Sequence, residues 1–232
     1  MKIGILTLPK SGTHLWSNIL KNAMDLGILN RDELSSFYFG HILDEDNLLH
    51  LSHDQVNFMT VRDVRGYFLS LCNWCDVRCK QILEEKREIR GMHSERASQW
   101  STMNFEEKLE SLVFQTDKSL YDVSYIDSNF QAAGYLVTMG VPVVKFEEIA
   151  SRDPSSEPSD ISIETCTKAL GYLGVSISQN DALEILRLSW GDSRTFNPEG
   201  GPDKWKKDLP EDIKRNIELR YSRHINKLGY EI

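Results

Sequence analysis

The sequence has no run approaching the roughly 20 consecutive apolar residues that a membrane-spanning helix needs, so a helical membrane protein is not expected. Its opening segment, Met1 to Leu8, is too short for the apolar core of a signal peptide. It passes directly into Pro9-Lys10-Ser11-Gly12, so an intracellular, cytoplasmic protein is expected. Positive charge is in deficit: 27 Lys and Arg against 35 Asp and Glu give a formal net charge of -8. That balance argues against nucleic acid or an anionic membrane as a broad electrostatic partner, while leaving room for a local basic pocket that holds one anionic ligand. Cysteine is scarce, with four in 232 residues, which fits a reducing compartment better than a disulfide framework. Cys72, Cys75 and Cys79 lack a nearby fourth ligand. Their i, i+3, i+7 spacing, interleaved with Trp74 and Val77, reads as small apolar residues on one face of a helix, and no metal is expected. Internal repeats and linkers are also missing, so a single α/β domain over residues 1–232 is expected, long enough to bury a sizeable core.

What is present alternates between strand and helix. Lys2 to Leu8 is a short apolar run closed by a turn with Pro9 and Gly12, as in a buried strand of a parallel sheet. From Thr13 the apolar residues Leu15, Trp16, Ile19, Leu20 and Met24 recur at helical spacing. Further strands are expected at Ser36–Ile42, Gln55–Val61 and Val141–Phe146, and a helix from Val64 past Cys79 into the charged stretch Glu84–Arg90. Between Gly91 and Asn129 the pattern gives little beyond a helix opening at Phe105 with Asn104 as its N-cap. Ser151–Pro158 reads as a loop. Helices are expected at Ile163–Leu173 (ending at Gly174), Asp181–Leu188 and Pro210–Leu228 (ending at Gly229), with a loop at Phe196–Pro202. This order predicts a doubly wound, mostly parallel sheet flanked by helices.

The first loop carries the chemistry. A strand, a glycine-containing turn and a helix start together present backbone N–H groups and a positive dipole end, which suit an anion. Lys10 adds a mobile cation, and Ser11 and Thr13 add hydroxyl donors. The Walker A pattern fails, because Thr7 stands where its first glycine would be and Thr13 where its lysine would be.

Leu8-Pro9-Lys10-Ser11-Gly12-Thr13 instead resembles the Pro-Lys-Ser-Gly-Thr signature of sulfotransferases that use 3′-phosphoadenosine 5′-phosphosulfate (PAPS). Thr60-Val61-Arg62-Asp63-Val64-Arg65-Gly66-Tyr67-Phe68-Leu69-Ser70 resembles the second signature of that family, in which an Arg ending a strand and a Ser on the next helix hold the 3′-phosphate. Arg62 and Ser70 match in type and spacing. Val143–Ile149, Leu170–Val175 and Glu218–Tyr230 are similar to later family elements, so the resemblance extends over nearly the whole chain in order. It implies a P-loop-type domain that moves a sulfuryl group in line to a hydroxyl or amine of a small-molecule acceptor. His41, at the end of the second expected strand, has the place of the family's catalytic histidine, and a neutral imidazole suits general-base work near neutral pH. His50 and His53 are the fallback bases, while His14 lies close enough to the loop to touch ligand.

On this reading Lys10 and His41 are catalytic. Lys10, Ser11, Gly12, Thr13, His14, Arg62, Ser70, Trp190, Gly200 and Lys204 hold the cofactor. Two departures from the family pattern stand out. Pro198-Glu199-Gly200-Gly201-Pro202-Asp203-Lys204-Trp205 occupies the place of Arg-Lys-Gly-x-x-Gly-x-Trp, so two cations are replaced, with Arg194, Lys204, Lys206 and Lys207 near enough in sequence to compensate. His14-Leu15-Trp16 also displaces the tryptophan that stacks on adenine, leaving Trp16 and Trp190 as alternatives. The competing readings are a P-loop kinase-like phosphotransferase, which would need Mg²⁺ ligands and a Walker-type Gly-Lys-Ser/Thr, and a non-catalytic nucleotide-binding protein, favoured by Pro198-Glu199.

Overall fold

A computed structural model describes residues 3–30, 37–41, 56–85, 94–117, 119–120, 124–152, 157–190 and 201–232. In chain order the elements are β1 (Ile3–Thr7), α1 (Thr13–Asp25), β2 (Phe37–His41), β3 (Val56–Val61), α2 (Val64–Glu85), α3 (Ser94–Thr102), α4 (Phe105–Val113) and α5 (Ser124–Thr138). They continue with β4 (Val143–Lys145), α6 (Phe146–Ile149), α7 (Asp160–Tyr172), α8 (Gln179–Ser189), α9 (Trp205–Asp208) and α10 (Glu211–Lys227). Residues Met1–Arg62 with Asn129–Asp203 form one compact unit, and Asp63–Ser128 with Lys204–Ile232 form another. Among the described residues no helix is long and apolar enough to cross a membrane.

The first unit is α/β, with a small, open, parallel sheet of strand order β2-β1-β3-β4 flanked by helices. Successive residues of β1 point to opposite faces, and both Ile5 and Leu6 are buried, so each face of that central strand is covered. α1 buries Trp16, Ile19, Leu20 and Ala23, the i, i+3, i+4, i+7 stripe expected from its sequence. Trp16 meets Phe58 of β3 at 4.9 Å between ring centroids. Ala182, Ile185 and Leu186 of α8 and Cys166, Ala169 and Leu170 of α7 complete that core. The end of α8 is also pinned to α1 by polar contacts: Asn18 Nδ2 donates to the Ser189 carbonyl at 3.2 Å, and Asn22 Nδ2 to Ser189 Oγ at 3.0 Å.

The second unit, as far as it is described, is helical. Cys72, Cys75 and Cys79 are buried on α2, and the Cys79 thiol donates to the Ala97 carbonyl of α3 at 3.1 Å. Asp76 leaves the same helix to accept from Trp100 Nε1 and Lys108 Nζ, both at 2.8 Å. Phe68 and Tyr221 stack α2 against α10 with ring centroids 5.2 Å apart.

The strands and the long helices fall where the apolar patterns place them. Asn104 caps α4 with Glu107 answering as a full capping box, so that helix start follows from two side chains. α3 and α5 lie in the stretch where the pattern gave little, and α3 shows why: Ala97 and Trp100 are its buried residues in an otherwise polar sequence. The last apolar residue of the fourth expected strand, Phe146, begins α6 instead of continuing β4. The loops expected at Ser151–Pro158 and Phe196–Pro202 fall partly outside the described residues; Arg152 and Pro158 close the first with an isolated antiparallel bridge.

Candidate functional site

The C-terminal end of the parallel sheet brings the sequence-predicted residues of the first unit together. The register pairs Thr7 with His41 on one side and with Thr60 on the other, and Thr60 with Val144. One step further, Val61 faces Lys145, so Arg62 and Phe146 leave the sheet side by side. Open parallel sheets bind ligands at this edge, because loops leaving the carboxyl ends of neighbouring strands meet there. His41 is thus the residue of β2 in register with the last residue of β1, where the phosphate-type loop begins.

That loop turns tightly. Leu8 N–H donates to the Thr60 carbonyl at 3.0 Å, which ties the start of the loop to β3. Ser11 N–H then returns to the Leu8 carbonyl at 3.1 Å. Lys10 adopts φ 67°, a left-handed conformation that costs a non-glycine residue about 1–2 kcal/mol unless its surroundings hold it. Arg62 supplies part of that hold: its Nη1 donates to the Lys10 carbonyl at 3.1 Å, and its guanidinium lies 4.5 Å from the centre of the Phe146 ring. Gly12 is also left-handed, at φ 89°, and a Cβ there would sit 2.7 Å from Phe146 Cδ2, so both the backbone and the neighbour require glycine.

Gly12 is the N-cap of α1 and makes no side-chain capping bond. Thr13, the first helical residue, shares a hydrogen bond with Thr7, their hydroxyl oxygens 2.8 Å apart. Ser11 is completely buried, and its hydroxyl has no hydrogen-bond partner among the described residues; the same holds for Thr60. A buried hydroxyl left without a partner costs about 1–3 kcal/mol. The loop therefore offers hydroxyls, a lysine and an uncapped helix start to an anion.

His14, on the first turn of α1, is exposed as a residue. Loss of water around its imidazole, and secondarily the charge of Lys10, hold its pKa below the ordinary histidine value. Trp16 is fully buried against Phe58 and is therefore a core residue. Trp190 is half-buried at the end of α8, with the Arg152 guanidinium 4.3 Å from its ring centre. It follows Ser189, which Asn18 and Asn22 fasten to α1, so it stands beside the helix that the loop opens.

Ser70 and Lys204 belong to the second unit. Ser70 is half-buried on α2, and Lys204 starts α9 with its ammonium 3.5 Å from Asp208. α2 and α9 meet through Arg65 and Trp205, with the guanidinium 4.1 Å from the ring centre. Gly200, together with Arg194, Pro198, Glu199, His50, His53 and His93, lies outside the described residues; of His41 the backbone position is described. Thr7, Thr60 and Phe146 joined the site only through the structure. The signal for the two threonines was a hydroxyl at or next to the end of an apolar strand. Among the described residues no group of His, Cys, Asp or Glu side chains is arranged to hold a metal ion.

Comparison with known protein families, with curated proteins and with solved structures gives no match for this chain.

Proposed function

We propose that this protein is a sulfotransferase of P-loop type that takes the sulfuryl group of PAPS and passes it to a hydroxyl or amine of a small acceptor. The observation that carries the reading is the Ser11 hydroxyl, buried and without a partner among the described residues, in a Lys-Ser-Gly-Thr loop whose Lys10 and Gly12 are left-handed and which opens α1. A phosphate oxygen is an acceptor that a buried hydroxyl of this kind can take. The local sequence is the one that resembles the sulfotransferase signature, so geometry and resemblance point to the same ligand class.

PAPS supplies an activated sulfuryl group attached to a 5′-phosphate. In this proposal Lys10, Ser11, Gly12 and Thr13 hold that phosphate, and Lys10 meets the charge that grows on it as the sulfur–oxygen bond breaks. His41, beside Thr7 at the sheet end, takes the proton from the acceptor oxygen or nitrogen that forms the new bond to sulfur. Arg62 serves the 3′-phosphate, Trp190 serves the adenine ring and His14 flanks the phosphate. No role is assigned to a metal.

Titration calorimetry with 3′-phosphoadenosine 5′-phosphate (PAP), and with ATP in the presence and absence of Mg²⁺, tests the reading. Metal-independent binding that prefers the 3′-phosphorylated ligand and weakens in Arg62→Ala is expected. Mg²⁺-dependent ATP binding with no response to PAP would overturn it in favour of a phosphotransferase. Binding of PAP without sulfuryl transfer to any of a broad set of hydroxyl and amine acceptors would leave a non-catalytic nucleotide-binding protein.

A further inference from the structure

Phe146 touches two residues of the loop machinery at once. It follows Lys145, the last residue of β4, which the register sets opposite Val61, so the ring leaves the sheet next to Arg62. One contact is with the Arg62 guanidinium, 4.5 Å from the ring centre. The other is with Gly12, whose α-carbon is so close that an added Cβ would meet Cδ2 at 2.7 Å and Cε2 at 3.1 Å. Arg62 in turn donates to the Lys10 carbonyl at 3.1 Å, closing a ring of contacts: Lys10, Gly12, Phe146, Arg62 and back to Lys10.

Two loop residues with left-handed backbones, one of them a lysine, sit inside that ring. Such a conformation persists where the surroundings over-determine it. Here the hydrogen bond from Arg62 fixes the Lys10 peptide, while the Phe146 ring carries the guanidinium on its face and leaves no room for a side chain at Gly12. The ring is half-buried, so it excludes water from one side of the arginine without being a deep core residue.

We propose that Phe146 is the positioning residue of the anion loop: its ring clamps Gly12 and Arg62 together and thereby holds the Lys10–Thr13 backbone in its ligand-receiving shape. The ligand side of this inference rests on the phosphate-binding reading above; the loop side stands without it. Phe146 acts through Gly12 and Arg62, and is assigned no contact with the reacting atoms.

The test is peptide-resolved hydrogen exchange on the full chain without ligand, followed by titration with PAP and with adenosine 5′-monophosphate. In Phe146→Leu, exchange across residues 9–15 is expected to speed up about tenfold, while α7 and α8 keep wild-type protection. Arg62→Lys, which keeps the charge but loses the planar stack, is expected to loosen the same segment, and Phe146→Tyr to restore it. Affinity for both nucleotides is expected to fall in Phe146→Leu because the shared 5′-phosphate meets the loop, and for PAP at least as far because Arg62 also serves its 3′-phosphate. Unchanged loop exchange in a folded Phe146→Leu protein would overturn the inference. So would a loss confined to the 3′-phosphorylated ligand, which would make the ring part of the 3′ site instead. Loop loosening in a protein that binds neither nucleotide would support the clamp and sink the phosphate-donor reading separately. Should Phe146→Leu fail to fold, the Arg62→Lys and Phe146→Tyr arms decide: the inference fails if Arg62→Lys leaves loop exchange at the wild-type rate.

Discussion

The hydroxyl of Thr7, the last residue of β1, lies 2.8 Å from that of Thr13, the first residue of α1, so one hydrogen bond spans the whole phosphate-type loop. Thr7 is fully buried, and Val would fill its space without the hydroxyl. A hydrogen bond between side chains is typically worth about 1 kcal/mol. Thr7→Val is therefore expected to lower unfolding free energy by about 1 kcal/mol and weaken PAP binding several-fold, with Thr7→Ser close to wild type in both. Urea denaturation and calorimetry on the three proteins check this. Equal behaviour of the Val and Ser variants would show that the hydroxyl does nothing.

Gly12→Ala is expected to be among the most damaging small substitutions in the first unit. The left-handed φ of 89° costs about 1–2 kcal/mol with a side chain present, and the new methyl meets the Phe146 ring at 2.7 Å. The ring is held by Arg62 and cannot swing away freely. Combining Gly12→Ala with Phe146→Leu removes the clash but not the backbone cost, so the double variant should be more stable than the sum of the single effects by at least about 0.5 kcal/mol. Strict additivity in denaturant melts would place the whole cost in the backbone.

The loop, its helix and the row of strand ends were legible in the sequence because each rests on a local rule. An apolar run breaks at Pro9, a helical stripe begins at Thr13, and Gly12 supplies the turn. Phe146 was not legible as a site residue, since an aromatic after a Val-Val-Lys strand reads as more strand; its part depends on register, which sets Lys145 against Val61. Trp16 stood open between adenine and core, and its helical phase with Ile19, Leu20 and Ala23 sends it into the core. The Thr7–Thr13 bond could not be foreseen either, because spacing alone does not say that a loop closes tightly enough to bring two hydroxyls together.

In the second unit, Arg65 is expected to contribute more to stability than any exposed ion pair of this chain. It meets Asp63 through Nε and Nη2 at 2.8 and 2.7 Å, Glu218 at 2.8 Å and the Glu231 carbonyl at 2.7 Å, with its plane against Trp205. Burial opposes its charge, but the hydrogen bonds it donates to Asp63 and Glu218 outweigh that, and its pKa rises above an already high value. The charge is therefore present at every working pH. Arg65→Met takes the guanidinium away from two carboxylates, one of them buried, and should cost about 3–5 kcal/mol, whereas Arg65→Met with Asp63→Asn should cost less than Arg65→Met alone. Thermal melts of the single and double variants decide it: a double variant no more stable than Arg65→Met would mean that the unpaired Asp63 is not the source of the cost.

His14 gives the loop a pH signature. Desolvation first, and Lys10 second, hold its pKa below 6.5, so the folded protein favours the neutral ring. Between its folded value and 6.5 the unfolded chain binds more protons, and stability falls as pH drops through that window. A bound phosphate beside the ring reverses the balance: binding takes up a proton, and affinity for PAP should rise as pH falls from about 7 to 6. NMR titration of the His14 resonance is expected to show a low value in the ligand-free protein. A partial rise is expected in Lys10→Met, because the larger desolvation cause remains, and a further rise on adding PAP. No movement with PAP would remove His14 from the site.

The cysteines report on the two units one at a time. Burial pushes the thiol of Cys166, in the first unit, up to about 12 from 9.0. Burial first, and the charge of Asp76 second, do the same for Cys72 in the second, against a smaller opposite pull from Lys108. A raised acid pKa means that each thiol stabilises the fold fully below pH 9, and that this contribution is lost as pH climbs from 9 towards 12. Each group should cost about 2 kcal/mol by pH 10.5, so the urea midpoint should drop sharply between pH 8 and 10.5. At pH 8 both thiols should also resist iodoacetamide until the segment around them opens, because the attacking species is the thiolate and neither sulfur is exposed. Mass-resolved labelling then gives one opening free energy from Cys166 and another from Cys72. Two different values in the same tube would show that the sheet unit and the helical unit open as separate cooperative bodies, and one shared value would show a single transition. Rapid native-state labelling of either cysteine would contradict the burial from which the pH dependence is argued.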